Sequence, residues 1–303
     1  MRGFMALTRR NIALYFKDFS AVFFSLLSML IVVFLMVFFL GDVTNSEIVN
    51  ILKNIPGRGG EADIALCDQM VFLWTCAGII TINAATVTHS FYSNMIKDRT
   101  GNRLNSLMVM PVNRSAFVLG YVFSAWLTGM IMSLITLIVT EIIGVMRGVD
   151  LLPVKTQLML LLLITINSFV FSSIMFLFAS VVKSQSAWGG IGIVLGTLAG
   201  FLGGIYFPIG EMNSSMQKMI KCFPFIYSTS AIRKIMLAPV EDKLFDGTPA
   251  LMREELDRIM GMDLYFNKNQ LSQGSKMVIL LGVGIVFVIL STIYITYSKK
   301  KDR

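Results

Sequence analysis

Six long stretches without a charged residue constrain this chain more than any other feature of its sequence. No Asp, Glu, Lys, Arg or His occurs between positions 18 and 42, 68 and 89, 114 and 141, 155 and 183, 183 and 211, or 276 and 299. Each stretch holds the roughly 20 residues that a helix needs to cross a hydrocarbon core of about 30 Å. A helix bonds its backbone groups internally, so each stretch can cross lipid alone. The predicted spans are 19–41, 69–90, 116–140, 157–181, 187–208 and 277–298.

The composition supports an all-α polytopic membrane protein. The 303 residues are 55% apolar and 15% charged, whereas soluble chains have about 45–50% and about 25%. This strongly disfavours the alternative of a soluble protein with six buried helices. We predict a six-span transmembrane domain over residues 19–303.

Basic residues predict how the chain is oriented. They cluster in residues 2–17, 97–114 and 299–303, which lie on one side of a six-span chain. The positive-inside rule makes that side cytoplasmic, with both termini inside. The net charge of +8 then reflects topology and contact with anionic lipid headgroups, and nucleic-acid binding is not expected. We expect a multi-pass protein of the plasma membrane.

Two segments outside the spans have amphipathic patterns. Residues 1–18 predict a cytoplasmic helix lying along the membrane interface before the first span. After the fifth span, residues 209–237 are too short for two crossings and predict a re-entrant pair of short helices broken by Pro224. This pair opens an extracytoplasmic segment, 209–275, in which a soluble helix is expected with Thr248 as N-cap and Gly261 as its stop.

The sequence contains none of the catalytic motifs that we searched for. It contains no G-x-x-x-x-G-K-[ST] phosphate loop and no metal-ligand spacing, so we predict no catalytic residue, no metal and no cofactor on this chain. A polytopic membrane enzyme would need a nucleophile or carboxylate set that cannot be assembled here. His89 is predicted to be an interfacial residue. Pairing of Cys67 with Cys222 and three ordinary thiols both remain open.

Uncharged polar residues and a glycine series mark the interior of the spans. Asn83, Thr86, Asn167 and Ser172 are the candidates for lining a substrate path, because they are polar at depth. In the fifth span, glycines recur every four residues, which leaves a groove for close helix approach. Tight packing and a sliding surface are both compatible with this series, which comprises Gly192, Gly196, Gly200 and Gly204.

The loop at 95–114 is longer and more amphipathic than a simple connection requires. Leu104, Leu107 and Met108 share one helix face, while Lys97 and the arginines stay in water. Such a helix either rests on lipid or fits the groove of a partner.

The sequence around this loop resembles the ABC-2 type permeases of ATP-binding cassette transporters. The resemblance consists of a charged run, Gly101, an apolar helix, then Pro111-Val112, and it extends to Phe223-Pro224 and Ala231-Ile232-Arg233. One departure is Lys97-Asp98-Arg99, where members often have a Glu-rich run. Residues 238–275 also form a longer extension than in a minimal member. The resemblance implies that the loop is a coupling helix, whose candidate residues are Lys97, Asp98, Arg99, Gly101, Arg103, Leu104, Leu107, Met108, Pro111 and Arg114.

The resemblance also implies a function. Two permease chains, as a homodimer or heterodimer, would pair with ABC ATPase subunits that hold ATP and Mg, and would export a drug, peptide or lipid-like substrate. A stand-alone carrier or channel without an ATPase is the alternative. The absence of charged residues deep in the spans disfavours ion-coupled carriers but permits uniporters.

Overall fold

A computed structural model describes residues 2–35, 49, 58–101, 114–266 and 269–298. Within these ranges the chain is almost entirely helical. The helices are α1 (Arg2–Lys17), α2 (Phe19–Leu35), α3 (Glu61–Thr100), α4 (Arg114–Met146), α5 (Val154–Val181), α6 (Gln185–Leu202), α7 (Ser214–Ile220), α8 (Pro224–Met236), α9 (Ala238–Leu244), α10 (Ala250–Ile259) and α11 (Gln273–Ser298). A 3₁₀ turn covers Ile209–Glu211, and strands β1 (Tyr265–Phe266) and β2 (Asn269–Gln270) form a short antiparallel hairpin.

Five of the described helices are long and apolar enough to cross a membrane, namely α3, α4, α5, α6 and α11. This confirms an all-α polytopic membrane protein. The described part of α2 has 17 residues, and the rest of the predicted first span, 36–41, lies outside the described residues. A sixth span and the orientation of the termini remain predictions.

The boundaries of two predicted spans differ from the helices in the structure. The span predicted at 69–90 is the middle of α3, a helix of 40 residues, because charged residues end an apolar stretch without ending a helix. The span predicted at 187–208 stops at Leu202. Gly203 donates its N–H back to Ala199 O, and Gly204 follows with φ +62°, a left-handed conformation that terminates helices.

Helix α3 is the centre of the bundle. It packs against α4, α5, α6 and α8, and most of its length is buried inside the protein. Helices α6 and α11 lie at the periphery and expose most of their apolar surface, as expected for a chain that is surrounded by lipid. Two clusters of buried apolar side chains divide the core along α3.

The two ends of α3 lie in different surroundings. We define the base as α1 together with the last turns of α3 and the contacts these make. We define the cap as residues 209–266, of which 224–244 pack mainly on the first half of α3, together with Lys276, which is bonded to Ser230 and Met262.

The cap contains the short helices expected after the fifth apolar stretch. Helix α8 begins at Pro224, whose missing N–H is no loss at a first helical position. The predicted soluble helix is present as α10, with Gly261 (φ +70°) behind it. Its N-cap is Pro249, since the Thr248 hydroxyl donates to Phe245 O instead of capping the helix. The depth of α7 and α8 in a membrane remains a prediction.

Candidate functional site

Helix α1 is seated against α4 at the base. Phe4 packs on Phe123, with ring centroids 5.6 Å apart, and Gly120 allows close approach, because a Cβ there would lie 3.0 Å from Leu7. The opposite face exposes Met5 and Arg9. Helix α1 is therefore amphipathic, as the sequence predicts, and one of its faces is fixed to the bundle.

Three consecutive charged residues at the end of α3 reach three different elements. Asp98 accepts a hydrogen bond from Arg10 of α1, with Nη2 and Oδ2 2.6 Å apart. Lys97 pairs with Asp18, between α1 and α2, at 3.5 Å. Arg99 donates to Ala179 O (2.9 Å) and to Val182 O, at the end of α5. Consecutive helical residues point about 100° apart, so one turn of α3 connects α1, the α1–α2 junction and α5.

The Arg99 contact has a clear electrostatic basis. The last carbonyl groups of a helix lack intrahelical partners and carry partial negative charge. A guanidinium placed there satisfies these carbonyls through charge-assisted hydrogen bonds. Arg99 therefore closes the end of α5 and holds it beside the end of α3.

The predicted coupling loop begins and ends at the base. Gly101 caps α3 and donates its N–H to Lys97 O at 3.0 Å, and α4 begins at Arg114, whose side chain is not described. The other candidates for coupling, Arg103, Leu104, Leu107, Met108 and Pro111, lie outside the described residues. The structure therefore shows where the loop is anchored.

The four candidates for a substrate path each donate a hydrogen bond within the protein. Asn83 donates to Thr136 Oγ1 of α4 (2.7 Å) and Asn167 to Thr81 O of α3 (3.3 Å), so both asparagines connect helices. Ser172 and Thr86 donate to carbonyls of their own helices.

A second contact of Asn167 adds α8 to this polar layer. Asn167 Oδ1 accepts a hydrogen bond of 2.6 Å from Ser228. In an apolar interior, polar side chains are stable only when their donors and acceptors form hydrogen bonds. The asparagines thus hold α3, α4, α5 and α8 in the observed packing, and their role in a substrate path remains a prediction.

The glycine series of α6 does not act as one continuous face. A Cβ at Gly192 would lie 2.5 Å from the ring of His89, and one at Gly200 would overlap the ring of Tyr206. Gly196 has no atom within 4 Å of that position. Gly204 lies beyond the end of α6. Spacing alone predicts which residues share a face, but not whether a neighbour covers it.

Arg233 is a buried arginine of the cap whose position the sequence did not predict. Its side chain is fully buried, and its guanidinium lies 3.9 Å from the ring centroid of Trp74. It donates to Gly204 O at 2.8 Å and to Met260 O at 3.3 Å, and more weakly to Trp74 O. Arg233 therefore joins α3, the turn after α6 and the end of α10. The available signal was its place in the Ala231-Ile232-Arg233 motif.

Two lysines complete the polar interior of the cap. Lys276, at the start of α11, is buried and donates to Ser230 Oγ and Met262 O, both at 2.9 Å. Lys234 pairs with Asp257 and with Asp263, the latter at 3.1 Å. Among the described residues, no group of three or more His, Cys, Asp or Glu side chains is arranged to hold a metal ion. Cys67 and Cys222 are unpaired thiols.

Comparison with protein-family models places this chain. The model of the family described as ABC-2 type transporter matches residues 2–237, from α1 to the end of α8, so α11 lies outside the match. No curated protein matches the chain. The matched range covers more than half of the chain and includes α1 and both ends of the predicted coupling loop, at Gly101 and Arg114. The chain therefore belongs to the ABC-2 type transporter family, as a multi-pass membrane permease.

Proposed function

We propose that this chain is the membrane-spanning subunit of an ABC exporter and that its base docks onto a separate ABC ATPase. The observation that carries this proposal is the connection of one turn of α3 to α1 and α5 through Lys97, Asp98 and Arg99. This turn leads directly into the loop whose apolar face requires a partner or lipid. ATP and Mg²⁺ belong to the partner subunit, and this chain supplies no cofactor site.

The proposed coupling follows from the length of α3. Its 40 residues extend about 60 Å at 1.5 Å per residue, from the base to the cap. Closure of the ATPase subunits displaces residues 102–113, and the three charged contacts pass this displacement to α1, α5 and α3 together. The partner's nucleotide state must favour one of two helix packings for this displacement to do work.

The translocation path is assigned to the polar layer between the helices. The hydrogen bonds of Asn83 to Thr136 and of Asn167 to Ser228 close this layer in the observed packing. When the helices separate, these groups become available to a drug, peptide or lipid-like substrate, together with Thr86 and Ser172. Two permease chains, identical or related, enclose the path in the plasma membrane, with the base on the cytoplasmic side.

Purification from native membranes tests the proposed partner. The chain is isolated in mild detergent with nucleotide present, and bound proteins are identified by mass spectrometry. We expect an ATPase with a phosphate loop to co-purify, and to be lost when Leu104 and Leu107 are both replaced by Asp, because two carboxylates would disrupt an apolar docking face. The matched control is Leu251→Asp, which alters an exposed leucine of the cap and should retain the ATPase.

Two outcomes would overturn this proposal. Repeated recovery without any ATPase would favour a stand-alone carrier or channel. Equal recovery of the ATPase with the wild type and the Leu104/Leu107 variant would place the docking surface elsewhere.

A further inference from the structure

Two carboxyl groups are buried close to the same arginine in the interior of the cap. Glu241 of α9 is 0% exposed and Asp257 of α10 is 2% exposed, and Arg253, which binds Glu241, lies one helical turn before Asp257 on α10. Glu241 Oε1 and Asp257 Oδ1 are both buried without a hydrogen-bond partner among the described residues. Ionised carboxylates only accept hydrogen bonds, so two of them here would leave both oxygens unsatisfied.

The other oxygen of each carboxyl group is already bound to a cation. Glu241 Oε2 lies 3.1 Å from Arg253 Nη2, and Asp257 Oδ2 is paired with Lys234 of α8. The two unpartnered oxygens are therefore the ones left to meet between α9 and α10. A single proton placed between them satisfies both.

The surrounding charges do not supply another partner for these oxygens. On α9 itself, Asp242 pairs with Arg253 at 2.8 Å and Lys243 pairs with Asp150. Asp263 is bound to Lys234. Lys276, from α11, is held by Ser230 and Met262 O and acts on Asp257 only through its charge.

We propose that Glu241 and Asp257 share one proton, that this proton joins α9 to α10, and that its loss loosens the cap as the pH rises. This inference depends on neither the ATPase nor the substrate, so it stands or falls independently of the proposed function. It makes the cap a pH-sensitive element of the fold.

The titration of Glu241 supports the geometry. Burial, followed by the hydrogen bond and the negative charge of Asp257, raises the pKa of Glu241 from 4.5 to about 8, against the opposing charges of Lys234 and Arg253. A pKa raised in the closed cap means that the closed cap binds more protons than the opened one. The shared proton stabilises the closed cap fully below pH 4.5. This contribution is lost progressively as the pH rises to about 8, and above that pH the stability of the cap no longer changes with this titration.

Hydrogen–deuterium exchange of the purified full chain tests this inference. Exchange in peptides covering residues 238–259 is measured from pH 5.5 to 9 and corrected for the intrinsic rate of amide exchange. In the wild type, we expect the equilibrium constant for opening of the cap to increase by up to about tenfold per pH unit below pH 8. In Glu241→Gln the amide permanently donates to Asp257, so we expect opening to become independent of pH. Glu254→Gln, an exposed change on α10, should follow the wild type.

Three results would overturn the inference. The first is corrected exchange in the wild type that does not change with pH. The second is the same pH dependence in the wild type and Glu241→Gln. The third concerns Asp257→Asn, which replaces Glu241→Gln if that variant does not fold, since it also leaves one ionisable carboxyl group. The same pH dependence of exchange in Asp257→Asn as in the wild type would overturn the inference.

Discussion

The base and the cap are both held by charged side chains, but these side chains are placed differently. At the base, Arg10 is 34% exposed and Asp98 10% exposed in their ion pair, and Lys97 and Asp18 are more exposed still. In the cap, Arg233 and Lys276 are no more than 1% exposed. Within the described part of the chain, their bonds are to carbonyl or hydroxyl oxygens, and no carboxylate is bonded to either.

This difference in burial sets how easily each end can rearrange. A partly exposed ion pair contributes at most about 1 kcal/mol, because water replaces the lost partner. A buried charged group that loses its partners costs about 3–5 kcal/mol. The base is therefore suited to changing its contacts, while the cap is suited to keeping the end of α3 fixed.

Replacing Arg233 by Met is the strongest test of this comparison. The change leaves Gly204 O and Met260 O without their donor and removes the contact with Trp74. We expect the free energy of unfolding to fall by about 2–6 kcal/mol, since each buried carbonyl group left without a donor costs about 1–3 kcal/mol, measured by denaturation in mixed micelles.

The control for this prediction is Arg258→Met. Arg258 lies on α10 with its side chain 63% exposed and makes one long ion pair, 3.8 Å, with Glu255. We expect little change in stability from it. If both substitutions had equal effects, burial would not be what distinguishes the cap.

The sequence predicted the architecture of the bundle better than its ends. Apolar stretches of sufficient length identify helices that need lipid, and this holds for α3, α4, α5, α6 and α11. The full length of α3 could not be predicted in the same way. Asp68 ended the apolar stretch, yet in the structure it pairs with Arg147 of the neighbouring loop at 2.9 Å, and the helix continues through it.

Sequence patterns could not predict the interior of the cap, for a related reason. Charged residues such as Arg233 and Lys276 served as markers of chain outside the membrane, so nothing indicated that they are buried. Their burial depends on carbonyl groups brought together from distant parts of the chain, and no spacing encodes that arrangement. At the base, the prediction that Arg99 stays in water was wrong, because Arg99 donates to Ala179 O and Val182 O, and the sequence gives no sign that the end of α5 lies beside it.

Substitutions in helix α6 are expected to have an intermediate effect on stability, because its glycines differ in their neighbours. Gly192→Ala would push against the ring of His89, which is stacked on Trp188 with centroids 4.4 Å apart and cannot easily move away. We expect a loss of about 1–3 kcal/mol from overpacking. Gly196→Ala meets open space, and its better helix propensity should add about 0.5–1 kcal/mol. Equal effects on unfolding in the two variants would contradict the observed packing of α6 on α3.

The smallest stability effect is expected at the base, from Asp98→Asn. The asparagine can still accept a hydrogen bond from Arg10, and water reaches the pair, so we expect a loss below about 1 kcal/mol. If the base passes displacement from an ATPase to α1, however, transport in the reconstituted complex should fall several-fold while stability barely changes. The exchange of the two charges, Arg10→Asp with Asp98→Arg, restores the pair and should recover part of that transport. A loss of stability comparable to that of Arg233→Met would contradict the distinction between an adjustable base and a fixed cap, because it would show that the Arg10–Asp98 pair holds the fold as firmly as the buried charges do.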